Sequence, residues 1–266
     1  MAKKIPKFNE STSLQQFRGS IDFLQTHIQL IDASLVTSIR KLKAHPEKND
    51  RITKGLNVKD EKYSKLNHPV KQYSSIFRHT QKKNIEFAIN KLFAIFTEYM
   101  KNVTLEMYKS KPYFIIQKAV VNKKDEDKEN LQMTFAEILR LGTAENINNE
   151  MVSRVFRSIE ELRSTPKLLE RILSDTKIMM SKEMKRKALM YLEMRHLFIH
   201  AKGIVDNKYA ATYGSFFTPE LKVKNQLPKK YEIFDDALKN ITNLVQHIDK
   251  ELIRTGFIDV RKFNNK

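Results

Sequence analysis

The sequence predicts an all-α protein, a helical bundle that begins with a long helix. Three observations carry this. Only 6 Gly and 7 Pro occur in 266 residues, too little punctuation for a turn-rich sheet protein. Near the start, Leu14, Phe17, Ile21, Leu24, Ile28, Ile31 and Leu35 recur at alternating spacings of three and four, which lines one face of a helix with apolar side chains. Near the end, Phe234, Ala237, Leu238, Ile241, Val245, Ile248 and Leu252 repeat the pattern.

The first helix follows from its stripe and runs to about Leu42; the stripe is expected to pack on the same chain or on a second copy. Residues 43–68 break the pattern with His45-Pro46, Lys54-Gly55 and His68-Pro69, many charges and few apolar side chains. This predicts a charged loop and the one domain boundary, giving an N-terminal segment 1–68 and a helical domain 69–266. Ile85, Ile89, Leu92, Phe96, Tyr99 and Val103 then mark a second long helix to about Ser110, ended by Lys111-Pro112. Tyr113–Val121 is an apolar run that periodicity alone leaves open between strand and helix, and Asn122–Asn130 is a charged loop. Thr134 and Glu137 have capping-box spacing for a short helix closed by Gly142. Asn148 or Asn149 is placed to cap another, ending near Arg163, and Thr165-Pro166 opens the next. A helix from about Ser181 to Lys202 stops at Gly203, Phe216–Tyr231 is expected to hold a small β-hairpin, and the last helix ends at Gly256.

Composition narrows the function. Lys plus Arg is 49 against 31 Asp plus Glu, a net charge of +18, which attracts polyanions and nucleic acid above all. The 36 Lys and 13 Arg also fit a chain whose lysines simply solvate its surface. With no Cys there can be no disulfide, thiolate metal site or Cys nucleophile. No apolar run reaches the roughly 18 residues of a membrane span, and Met1–Ser13 lacks the apolar core of a signal peptide, so a cytoplasmic location is expected. Neither a phosphate-binding G-x-x-x-x-G-K-[ST] loop, a G-x-G-x-x-G turn nor a G-x-S-x-G elbow occurs. The acidic pairs Asp235-Asp236 and Glu160-Glu161 fall on helix surfaces, where solvated charge is their ordinary role.

His196 and His200 stand apart from the other histidines. They are four residues apart in one helix, so about 40° separates their directions and both project from one face. Three interpretations compete. The pair can be ordinary residues of an amphipathic helix. It can be part of a metal site, although Leu197 stands where H-E-x-x-H requires Glu. Or it can serve RNA cleavage with Arg195, His taking or giving the proton and Arg neutralising phosphorane-like charge through its planar fork. Arg195 and His200 point about 140° apart on an ideal helix, which two facing copies of the helix would reconcile more easily than one.

The segment Met194–Tyr209 resembles the HEPN superfamily. Arg195 and His200 match its R-x(4–6)-H motif, His196 matches the polar residue that commonly follows the Arg, and Gly203-Ile204-Val205-Asp206 with Tyr209 is similar to the tail of the motif in bacterial members linked to phage defence. The detailed match covers about sixteen residues. It departs from the commonest form in His196, where Asn is frequent, and in Ala201. The resemblance implies a metal-independent endoribonuclease without a cofactor, acting as a homodimer with both motifs at the interface. Such enzymes leave a 2′,3′-cyclic or 3′-phosphate and a 5′-hydroxyl, and many are toxins or abortive-infection effectors acting on tRNA or mRNA. Carried over, Arg195 and His200 are the catalytic pair and His196 supports them. Asp206 and Tyr209 are candidates for a supporting layer, with a structural role equally open to each. The long first helix would extend the dimer or bind an antitoxin or sensor. The alternatives are a non-catalytic HEPN-like module that binds RNA or a protein, and a helical DNA-binding protein, for which no helix-turn-helix signal is present.

Overall fold

A computed structural model describes residues 9–58, 61–111, 133–160 and 165–260. The expectations for Tyr113–Val121, Asn122–Asn130 and the helix end near Arg163 lie outside them. The described residues are mostly helical, and no strand occurs among them. The helices are α1 (Thr12–Ala44), α2 (Ile52–Leu56), α3 (Tyr73–Ser110), α4 (Phe135–Leu141), α5 (Ala144–Glu160), α6 (Thr165–Thr176), α7 (Lys182–His200), α8 (Asn207–Tyr213) and α9 (Tyr231–Arg254). Among the described residues no helix is long and apolar enough to cross a membrane.

The chain forms two compact units, each discontinuous in sequence. The first comprises Met1–Ser20, Phe93–Glu193 and Lys239–Lys266, the second Ile21–Leu92 and Met194–Leu238. The divisions fall inside α1, α3, α7 and α9. Residue 68, the expected boundary, lies within the second unit.

In the first unit, the start of α1, the second half of α3 and most of α9 pack together. Phe17 meets the Tyr99 ring edge-on at 5.6 Å between centroids. The buried Tyr99 hydroxyl donates to the Val245 carbonyl at 3.4 Å. Ser11 caps α1, its Oγ accepting from the Leu14 N–H at 2.9 Å. Thr134 and Glu137 form the expected capping box of α4, and Gly142 follows it with φ +71°. The expected cap of α5 is displaced. Asn148 and Asn149 lie inside that helix, and Thr143 Oγ1 accepts from the Asn146 N–H at 3.2 Å instead. Either Asn has the right chemistry for a cap, but Thr143 offers the same chemistry one turn earlier, straight after Gly142.

In the second unit, residues 45–58 and 61–72 form a clasp where a charged loop was expected over 43–68. Ile52 N–H donates to His68 O at 2.8 Å, Val70 N–H to Asp50 O at 2.7 Å and Lys71 N–H to Lys48 O at 2.9 Å. Leu42, Ile52, Val70 and Phe77 make a small core beneath it, with Leu35, Ile39, Leu56 and Leu66 around them. The packing is close at Gly55, where a Cβ would sit 2.7 Å from the Leu42 side chain. The clasp had no periodic signature because the apolar residues of this core are scattered over α1, α2, α3 and the short turns at Leu66 and Val70, and its order comes from backbone bonds.

Candidate functional site

The site is built on the C-terminal turn of α7. Ser181 starts this helix by accepting the Met184 N–H at 3.1 Å. Leu192, Met194, Leu197 and Phe198 are buried, which turns His196, Ile199 and His200 outward. The i, i+4 spacing then brings the two imidazoles together, with ring centroids 4.8 Å apart and planes tilted by 46°. Both rings are exposed. Arg195 is half-buried and starts from the flank of the helix about 140° from His200. The side chains this arrangement pairs are therefore His196 and His200.

The helix ends through backbone chemistry. Ala201 N–H and Gly203 N–H both donate to the Leu197 carbonyl, at 3.0 and 2.8 Å. Lys202 and Gly203 have φ of 52° and 80°, and a Cβ on Gly203 would press on the Phe198 ring at 3.3 Å. Beyond it the chain runs antiparallel to residues 224–227. Leu227 N–H donates to Gly203 O at 2.8 Å, Val205 N–H to Asn225 O at 2.9 Å and Lys224 N–H to Val205 O at 2.8 Å. The expected hairpin within Phe216–Tyr231 is thus replaced by an isolated bridge, Ile204 with Gln226, whose other half precedes α8. The pairing skips the intervening residues because α8 lies between its two halves.

This tether ties an exposed lysine loop to the end of α7. Lys222 and Lys224 are exposed on it, and Lys202 is exposed beside His200 in sequence. Sequence reasoning had only the total charge to suggest them. Behind the site, Lys229 lies over the Phe198 ring at 5.5 Å and donates to Glu86 at 3.2 Å. Burial pushes the Glu86 carboxyl up, but Lys83 and Lys229 outweigh it and hold the group below its usual range.

The two residues in the tail of the motif have structural work. Asp206 caps α8, its carboxylate accepting the Tyr209 N–H at 2.7 Å. The Tyr209 ring is buried against Tyr213 and Phe217, with centroids at 5.1 and 6.5 Å. Among the described residues, no group of three or more His, Cys, Asp or Glu gathers to hold a metal. No family model matches the chain, and no curated protein or solved structure does either.

Proposed function

We propose that this protein is a HEPN-type endoribonuclease, cleaving RNA by transesterification without a metal. The observation that carries the reading is the exposed His196–His200 pair at the end of α7, with Arg195 on the same turn. The neutral imidazole of His200 takes the proton from a 2′-hydroxyl, and the 2′-oxygen attacks the adjacent phosphorus. The bond from phosphorus to the 5′-oxygen breaks, and a protonated imidazole returns a proton to that leaving oxygen. The products are a 2′,3′-cyclic phosphate and a 5′-hydroxyl. Arg195 neutralises the equatorial oxygens in the transition state. Two copies of α7 facing one phosphate would reconcile the divergent directions of Arg195 and His200. Lys202, Lys222 and Lys224 supply charge for the flanking phosphates. By its resemblance the enzyme serves as a toxin or abortive-infection effector against phage, held in check by an antitoxin or sensor.

The half-burial of Arg195 favours a second reading, a module that holds RNA without cutting it. One experiment separates the two. Cellular RNA and a DNA of the same sequence are incubated with the protein in EDTA, beside His200→Ala and Arg195→Ala. The ribonuclease reading expects RNA alone to be cut, by the wild type alone, with cyclic-phosphate ends. Cleavage undiminished in His200→Ala overturns it, and intact RNA retained by the wild type establishes the binding module.

A further inference from the structure

Helix α1 carries a second stripe that the described residues leave exposed. Its first stripe is buried from Leu14 through Ile28. On another face, Phe23, Thr26, Leu30, Ala33 and Thr37 recur at spacings of three and four, and all five are exposed, Phe23 by 75% and Leu30 by 65%. A solvated helix face in so basic a protein would carry lysines, yet Gly19 through Ile39 contains neither Lys nor Arg, although these number 49 in the chain. Small and uncharged side chains between exposed Phe and Leu let another helix approach closely.

We propose that this face binds a second copy of the chain, α1 against α1, antiparallel about a two-fold axis at Leu30. Charge chooses the occupant. At +18, two copies repel wherever lysines meet, and this cation-free stretch lets them approach without that opposition. Charge also chooses the direction. The stretch carries exposed Asp22 near its start and is followed by exposed Arg40. A parallel pair would leave Asp22 18 residues, about 27 Å of helix rise, from Arg40 of the other copy. The antiparallel pair sets Asp22 within two residues, about 3 Å of helix rise, of Arg40 on the other copy, and opposes the two helix dipoles. Leu30 then meets its own copy, and Phe23 lies level with Thr37. There a groove of about 430 Å³, walled by Leu30, Ser34, Leu35, Ser38, Ile76 and Phe77, is placed to take the Phe23 ring. Phe23 is already oriented by its stack on His27, which in turn touches Phe87. The inference does not depend on the ribonuclease reading.

The absence of native cysteine allows a direct test. In the purified full chain under mild oxidation, Leu30→Cys is expected to form a covalent dimer. Thr37→Cys alone is expected not to, since its two copies lie about 21 Å apart along the paired helices, but a mixture of Thr37→Cys with Phe23→Cys is. By sedimentation the wild type self-associates, and Leu30→Glu raises the dissociation constant of the α1 contact at least about 100-fold by burying two like charges, taking a dimer to monomers, or a larger assembly to dimers where α7 also pairs. Circular dichroism checks that Leu30→Glu keeps its helices, as expected for an exposed position. A wild type that stays monomeric up to about 100 µM, well above the micromolar upper end for standard-size interfaces, overturns the proposal. So does a wild-type dimer that persists unchanged in Leu30→Glu. Self-linking of Thr37→Cys as readily as Leu30→Cys overturns the antiparallel arrangement.

Discussion

Ser11 and Asp249, 238 residues apart, are joined twice: the Ser11 N–H donates to Asp249 Oδ2 at 3.1 Å, and its hydroxyl donates to Oδ1. The pair joins the first turn of α1 to α9 inside the first unit, and Asp249 is fully buried. Since Ser11 Oγ also accepts from Leu14, one hydroxyl links the cap of α1 to a carboxylate from the far end of the chain.

Asp249→Ala is expected to lower stability by about 1–3 kcal/mol in urea denaturation, because it strands two buried donors of Ser11. Burial pushes the Asp249 carboxyl above its ordinary value of 3.8, against the opposing pull of Ser11. A raised folded-state value means that the group's contribution is fully present below 3.8 and is lost as the pH rises through the folded value. Glu106, which accepts the Ser13 N–H at 3.1 Å, is likewise pushed up by burial and has the same sign. Comparing Asp249→Asn with the wild type across this range isolates the contribution. The expected outcome is a smaller loss of stability with rising pH in the variant; equal slopes would remove Asp249 as its source.

Tyr209 separates a scaffold role from a chemical one. Tyr209→Ala is expected to cost about 3–5 kcal/mol, through loss of the ring from the cluster with Tyr213 and Phe217. Tyr209→Phe keeps the ring and is expected to cost no more than about 1.5 kcal/mol. It is also expected to cleave RNA at close to the wild-type rate. A large loss of cleavage in a stably folded Tyr209→Phe would give the hydroxyl a part in the reaction.

The lysine loop predicts a salt signature. If Lys222 and Lys224 each hold one phosphate, their joint replacement by Ala reduces the slope of log affinity against log salt on single-stranded RNA by about 1.4. The melting temperature is expected to stay within about 2 °C, since both side chains are exposed. Filter binding at several salt concentrations measures the slope, and an unchanged slope would place the RNA elsewhere.

How far the sequence was legible depends on the range of each interaction. The stripes of α1, α3 and α9, the capping box at Thr134, the start of α7 at Ser181 and its stop at Gly203 rest on neighbours within a few residues, and each could be read directly. The proximity of His196 and His200 was legible for the same reason, as helical geometry dictates it.

Tertiary structure alone decided the rest. The clasp between α1 and α3, the bond between Ser11 and Asp249, and the bridge that replaced the expected hairpin join residues whose pairing leaves no local pattern. Asp206 and Tyr209 carry groups suited to either chemistry or support, and only their placement as cap and buried ring showed the work they do. The two faces of α1 make the same point. Both are written at helical spacing in the sequence, but which is covered depends on where the rest of the chain folds. Periodicity fixes the direction in which a side chain leaves its helix, while burial depends on what stands opposite.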